Sequence, residues 1–222
     1  MKRTILLSLA VLAAAALLVG CKGGSKKASQ TPEPVQETPK MSEKDLAAAL
    51  AALPEEPVFN IITNLGTIKV KLYSKTPQHR ENFAKLALSG YYDGLLFHRV
   101  INGFMIQGGD PLTKDKANAA RFGTGGPDYT VPAEFVPEYR HKKGALAAAR
   151  RGDAANPLKA SSGSQFYLVQ DEGACAQLDG EYTVYGETLE GLDVIDRIAS
   201  VPTGPRDLPE SDVKIIRVEL AK

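Results

Sequence analysis

The chain has 222 residues, with 27 Lys+Arg against 26 Asp+Glu and a formal net charge of +1, so nothing in its charge favours nucleic acid or an anionic membrane surface. Its three histidines, His79, His98 and His141, have no ligand spacing, which argues against a metal site. There is no nucleophile elbow and no phosphate-binding glycine motif, and no cofactor is expected.

Lys2 and Arg3 form a positive n-region, and Ile5 to Val19 is an apolar run too short for a comfortable membrane span. Residues 1–20 are therefore expected to be a signal peptide. The run ends Leu18-Val19-Gly20-Cys21, which resembles the lipobox of bacterial lipoproteins. That resemblance implies cleavage before Cys21, acylation of Cys21, and a protein anchored to a membrane rather than spanning it. An ordinary signal peptide with Cys21 incidental is the alternative. Lys22 stands where some enteric bacteria place a retaining aspartate, which leans toward the outer membrane, facing the periplasm. Losing Lys2 and Arg3 from the 27 basic residues leaves 25 against 26 acidic, close to neutral. Cys175 is then the only cysteine free to pair, so no intramolecular disulfide is expected and the thiol should be buried and unreactive.

Residues 21–41 are rich in Gly, Ser, Pro, Thr, Gln and Lys and read as a flexible linker. Residues 42–57 carry a short helix or spacer: Ser42, with Asp45 three positions on, predicts a cap for a helix from Glu43 to about Leu53. From 58 to 222 the signals are those of a compact domain. Strands are predicted at Val58–Thr63 and Thr67–Tyr73, flanking a turn at Asn64-Leu65-Gly66. Thr76-Pro77 predicts the start of a helix with Phe83, Leu86, Ala87 and Gly90 at helical spacing. Two strands follow around Phe97–Asp110, then a Gly/Pro-rich passage to Val131. Further strands are predicted at Ala145–Ala149, Gln165–Gln170, Thr183–Glu187 and Val213–Leu220, with a helix at Gly191–Ala199 facing inward through Leu192, Ile195 and Ile198. Many short strands and two helices predict a mainly β fold: a closed antiparallel barrel capped by two α-helices.

The segment Phe97–Asp110, FHRVINGFMIQGGD, combines an arginine, an amide and an apolar pair but no nucleophile. With GTGG at Gly123–Gly126, SGSQF at Ser162–Phe166, LDG at Leu178–Gly180 and YG at Tyr185–Gly186, it resembles the signature of the cyclophilin-type peptidyl-prolyl cis-trans isomerases. The resemblance spans roughly Val58 to Ala221 and implies an eight-stranded barrel that speeds rotation about X-Pro bonds of polypeptides. It implies Arg99, Gln107 and Phe104 as catalytic residues, with Met105 and Tyr167 around the proline ring. Leu178 would close that pocket and Tyr182 would form its edge. Gln165 joins the site, and Ala149 and Arg150 align with the segment whose backbone bonds the substrate. Strand parity places Met105 with Gln107, and Gln165 with Tyr167, while Phe166 points the other way. A proline-segment-binding chaperone or adaptor with little turnover is the competing reading, and Arg99 discriminates, because binding alone needs no guanidinium. The oligomeric state is not legible.

Three positions depart from the best-known pattern of that family: Gln177 replaces a tryptophan, which implies weak cyclosporin binding, Tyr182 replaces a histidine, and Ala148 a methionine. An insertion, Arg151 to Ser162, precedes SGSQF and is expected to be a loop near the groove.

Overall fold

A computed structural model describes residues 41–222. The expected signal peptide, the lipidation site Cys21 and all of the linker except Met41 lie outside the described residues. Helix α1 spans Glu43–Ala51. The Ser42 hydroxyl accepts the Asp45 amide at 3.2 Å and donates to the Asp45 carboxylate at 2.6 Å, a reciprocal cap that sets where the helix begins. None of its residues is buried, so alanine's helix propensity and the contact of Leu50 with the core are what hold it.

Strands β1 (Val58–Thr63) and β2 (Gly66–Leu72) form a hairpin in which Thr63 faces Gly66, leaving only Asn64 and Leu65 in the turn. Both alternate strictly, so Phe59, Ile61, Ile68, Val70 and Leu72 are fully buried. Helix α2 spans Pro77–Leu88, β3 Arg99–Ile101, β4 Met105–Gly108, β5 Thr130–Val131, β6 Ala145–Ala148, β7 Ser161–Ser162 and β8 Phe166–Val169. A single-turn helix α3 (Glu172–Cys175), strand β9 (Val184–Glu190), helix α4 (Leu192–Ala199) and strand β10 (Ile215–Leu220) complete the order.

Eight strands make one antiparallel sheet in the order β10-β1-β2-β9-β6-β8-β4-β3, with β5 and β7 paired separately. The sheet is open, which corrects the expectation of a closed barrel. Among the described residues the gap between β3 and β10 is crossed by one isolated bridge, Leu96 to Lys214, with backbone bonds from Phe97 to Val213, Ile215 to Leu95 and Gly94 to Ile215. Continued in that register, Ile101 would face Pro209, which has no N–H to give, and residues 203–209 instead close a loop of their own.

Helices α2 and α4 bury Phe83, Ala84, Leu86 and Ala87, and Val194, Ile195, Ile198 and Ala199, into one core. Leu192, expected on that inward face, is 39% exposed because it opens the helix ahead of the first inward turn. Gly90 lies beyond α2, at φ 70°. Nor does the Thr76 side chain cap α2: Glu134 accepts the Gln78 amide at 3.1 Å and the His79 amide at 2.9 Å in its place.

All four residues of β6 and of β8 are buried, yet they alternate between two apolar clusters. Leu146, Ala148, Phe166 and Leu168 enter the main core, whereas Ala145, Ala147, Tyr167 and Val169 enter a second cluster on the opposite face. That second face carries the candidate site.

Candidate functional site

The strand registers line up one row of side chains across four strands: Arg99 faces Gln107, Gln107 faces Tyr167, and Tyr167 faces Ala147. The next row in the same sense is Ile101, Met105 and Val169. Residues two apart on a strand share a face, so Arg99, Met105, Gln107 and Tyr167 all rise from the second-cluster side. Met105 and Tyr167 are buried there, with Phe104, Leu178 and Tyr182 packed against them. The structure thus brings together an apolar cluster and, on the same face of the sheet, an arginine.

A buried chain of polar groups underlies the pocket. His141 Nδ1 donates to Asp179 at 2.8 Å, which leaves Nε2 to accept the Tyr167 hydroxyl, also at 2.8 Å. The His141 amide donates to the same Asp179 oxygen at 2.8 Å. Burial pushes the His141 pKa down, partly opposed by the Asp179 carboxylate. Burial alone would raise the Asp179 carboxyl, but the two His141 donors and Arg140 hold it below its usual range. Cys175 is buried with its thiol against the Phe104 carbonyl at 3.5 Å, and burial pushes its pKa up to about 12, so it is a poor nucleophile. At the pocket edge the Arg150 guanidinium lies 4.4 Å from the Tyr182 ring centroid and donates to the Glu181 carbonyl at 2.9 Å.

The scattered glycine motifs meet in one polar cradle. Gln107 donates to Gln165 at 2.9 Å, and Gln165 donates to the carbonyls of Gly123 and Gly125 at 3.1 and 2.7 Å. From the other side the fully buried Asp110 carboxylate accepts the amides of Leu112, Gly123 and Gly125 at 2.8, 2.5 and 3.2 Å. Gly109 makes this possible: at φ 88°, any Cβ there would lie 2.2 Å from the Ser164 carbonyl oxygen. His98 is buried beside this loop, neither ring nitrogen makes a well-formed hydrogen bond among the described residues, and desolvation lowers its pKa.

A groove of about 810 Å³ adjoins the row, lined by Gln107 and Gln165, by residues 123–130, and by Arg151, Ala155, Asn156 and Ala160 of the insertion. Both backbone groups of Ala149 are used internally, its amide donating to Gln165 at 3.0 Å and its carbonyl accepting Ser162 at 2.8 Å. The Arg150 backbone makes no such bond among the described residues and is the open position of that segment.

The Arg99 side chain is 44% exposed, and of its guanidinium nitrogens only Nε has a partner among the described residues, Asp207 Oδ2 at 3.3 Å. Arg206 and Asp207 stand at φ 63° and 60°. A residue held in that region costs on the order of 1–3 kcal/mol, Asp somewhat less than Arg. An ion pair this exposed returns about 0–1 kcal/mol. The pair by itself does not offset that backbone cost.

Sequence reasoning did not assign Asp110, His141, Asp179 or Asp207. The first and third lay inside the quoted motifs, where their acidity beside glycine was a usable signal. His141 and Asp207 carried none, because their partners are remote in sequence.

The family model of cyclophilin type peptidyl-prolyl cis-trans isomerase/CLD matches residues 58–220. A peptidyl-prolyl cis-trans isomerase-like 2 of Rhizopus delemar is 39% identical over 72% of the chain, which spans 28% of that longer protein. A peptidyl-prolyl cis-trans isomerase of Arabidopsis thaliana is 37% identical over 71% of the chain and 92% of its own length. The crystal structure of a Cryptosporidium parvum cyclophilin type isomerase in the presence of the dipeptide Ala-Pro aligns with a TM-score of 0.65 and 29% identity, covering 74% of this chain and 99% of that one.

Proposed function

We infer how the site works from one premise: the chain belongs to the cyclophilin-type peptidyl-prolyl cis-trans isomerase family and is an isomerase of that class. The substrate is a proline-containing polypeptide whose proline ring packs against Phe104, Met105, Tyr167 and Leu178, with Gln107 holding the preceding backbone. The Cryptosporidium parvum relative crystallised with Ala-Pro is consistent with a small proline-sized pocket.

Rotation about the C–N bond faces a barrier of about 18–20 kcal/mol because the amide is conjugated. A cation against the prolyl nitrogen favours its lone pair in the twisted state over the planar ground state, which is differential stabilisation of the transition state. Arginine suits this because its charge never titrates and its donors are held in a plane. The observation carrying the reading is the free edge of the Arg99 guanidinium beside the apolar pocket, in one row with Gln107 and Tyr167. Exchange kinetics on an X-Pro peptide test it. Loss of one pre-organised charged donor costs about 2.7–4 kcal/mol, so Arg99→Ala should slow exchange by roughly 10²–10³. Equal rates for the two proteins would sink the mechanism.

The cellular setting rests on the sequence of residues 1–40. The positive n-region, the apolar run and Cys21 support a lipid-anchored isomerase in a bacterial envelope, on the outer membrane facing the periplasm, acting on proteins that fold there. Globomycin-sensitive processing and membrane fractionation check this, and a chain that is never cleaved or acylated contradicts it.

A further inference from the structure

We propose that Asp207 is a positioning residue for the reaction, aiming the Arg99 guanidinium at the substrate. The inference rests on the reading of Arg99 given above.

Asp207 belongs to the connection between α4 and β10, which is built as a closed-neck loop. Thr203 and Pro209 bridge, and the Gly204 amide donates to the Leu208 carbonyl at 2.8 Å. Inside the neck, Arg206 turns outward and donates to the carbonyls of Ala119 and Ala120, at 2.5 and 3.0 Å. With Arg206 pinned there and both residues in the left-handed region, Asp207 is delivered against Arg99 Nε. The backbone at these two positions is more costly than so exposed a pair can repay, and strain of this kind persists where surrounding structure imposes it for use.

The choice of nitrogen matters. A carboxylate on Nε fixes the plane of the guanidinium while leaving both terminal nitrogens for the substrate, whereas one clamped on the terminal nitrogens would block them. The same contact limits how far the half-exposed side chain can swing away between turnovers.

The test compares wild type with Asp207→Ala, Asp207→Asn and Arg99→Ala by exchange NMR on an X-Pro peptide, which reads the on-enzyme rate and the peptide affinity separately. Asp207→Ala should lower the on-enzyme rate about two- to fivefold, the range for coupling through a half-exposed pair. Peptide affinity should stay unchanged, while the melting temperature should fall slightly, because alanine is costlier than Asp at φ 60°. Asp207→Asn keeps an acceptor oxygen and tolerates the left-handed backbone, so it should recover most of the rate. The inference is overturned if Asp207→Ala turns over as fast as wild type or faster, if its loss tracks a loss of peptide affinity, or if Asp207→Asn fails to recover the rate. Should Arg99→Ala slow exchange while Asp207→Ala does not, only the role of Asp207 fails. If Arg99→Ala keeps the wild-type rate, the mechanism itself fails.

Discussion

The Tyr167 hydroxyl lies 2.8 Å from His141 Nε2, and through that one buried imidazole the floor of the pocket is tied to Asp179 on the turn that carries Leu178. Tyr167→Phe keeps the ring but leaves the nitrogen without a partner. An unsatisfied buried acceptor costs about 1–3 kcal/mol, which urea denaturation should detect, while peptide binding persists. An unchanged unfolding midpoint would show that the bond contributes nothing.

His98 and His141 both have pKa values below the ordinary 6.5, chiefly from burial. As pH falls, the unfolded chain therefore takes up these protons before the folded one does. Stability from both groups is fully present above about pH 6.5 and declines as pH drops below it. A melting-temperature series from about pH 8 to 5 should be level and then fall. His141→Gln should flatten part of the decline. A melting temperature that rises on acidification through this window contradicts the assignment.

Asp110 gathers three amides from two turns, so its removal should be felt far beyond its own position. Asp110→Ala leaves those donors without the carboxylate, at a cost of about 3 kcal/mol or more. Hydrogen exchange at the Gly123 and Gly125 amides should accelerate more than exchange in β1 and β2. Uniform acceleration would mean that Asp110 supports the whole fold rather than the loop.

The insertion lines the groove beside Gln107 and Gln165 and has no residue in the apolar cluster of Met105 and Tyr167. Replacing residues 152–160 by a short Gly-Ser turn should alter which residues flanking the proline are preferred across a peptide panel, while isomerisation of simple peptides continues. An unaltered preference profile would disprove a role in selection.

Much of this domain was legible because much of it is local. The Ser42–Asp45 cap lies within one turn, the β1–β2 turn within four residues, and the alternation that sends Phe166 to the core and Tyr167 to the site follows from a period of two. The order of the motifs around Arg99 made the isomerase family recognisable. What it left hidden were partners brought together by loop closure.

By itself, then, the sequence determined the family and the position and parity of most strands, since each is written in short-range pattern or motif. Only the tertiary structure decided that Glu134 caps α2 from 55 residues away and that Asp207 meets Arg99 across 108. It alone decided that His141 bridges two pocket walls and that the sheet stays open opposite Pro209. Nothing within a few residues of any of these groups encodes its partner. Each contact exists because packing of the core brought two distant segments within hydrogen-bonding distance, where a buried or half-buried polar group must find a partner or bear the cost of desolvation.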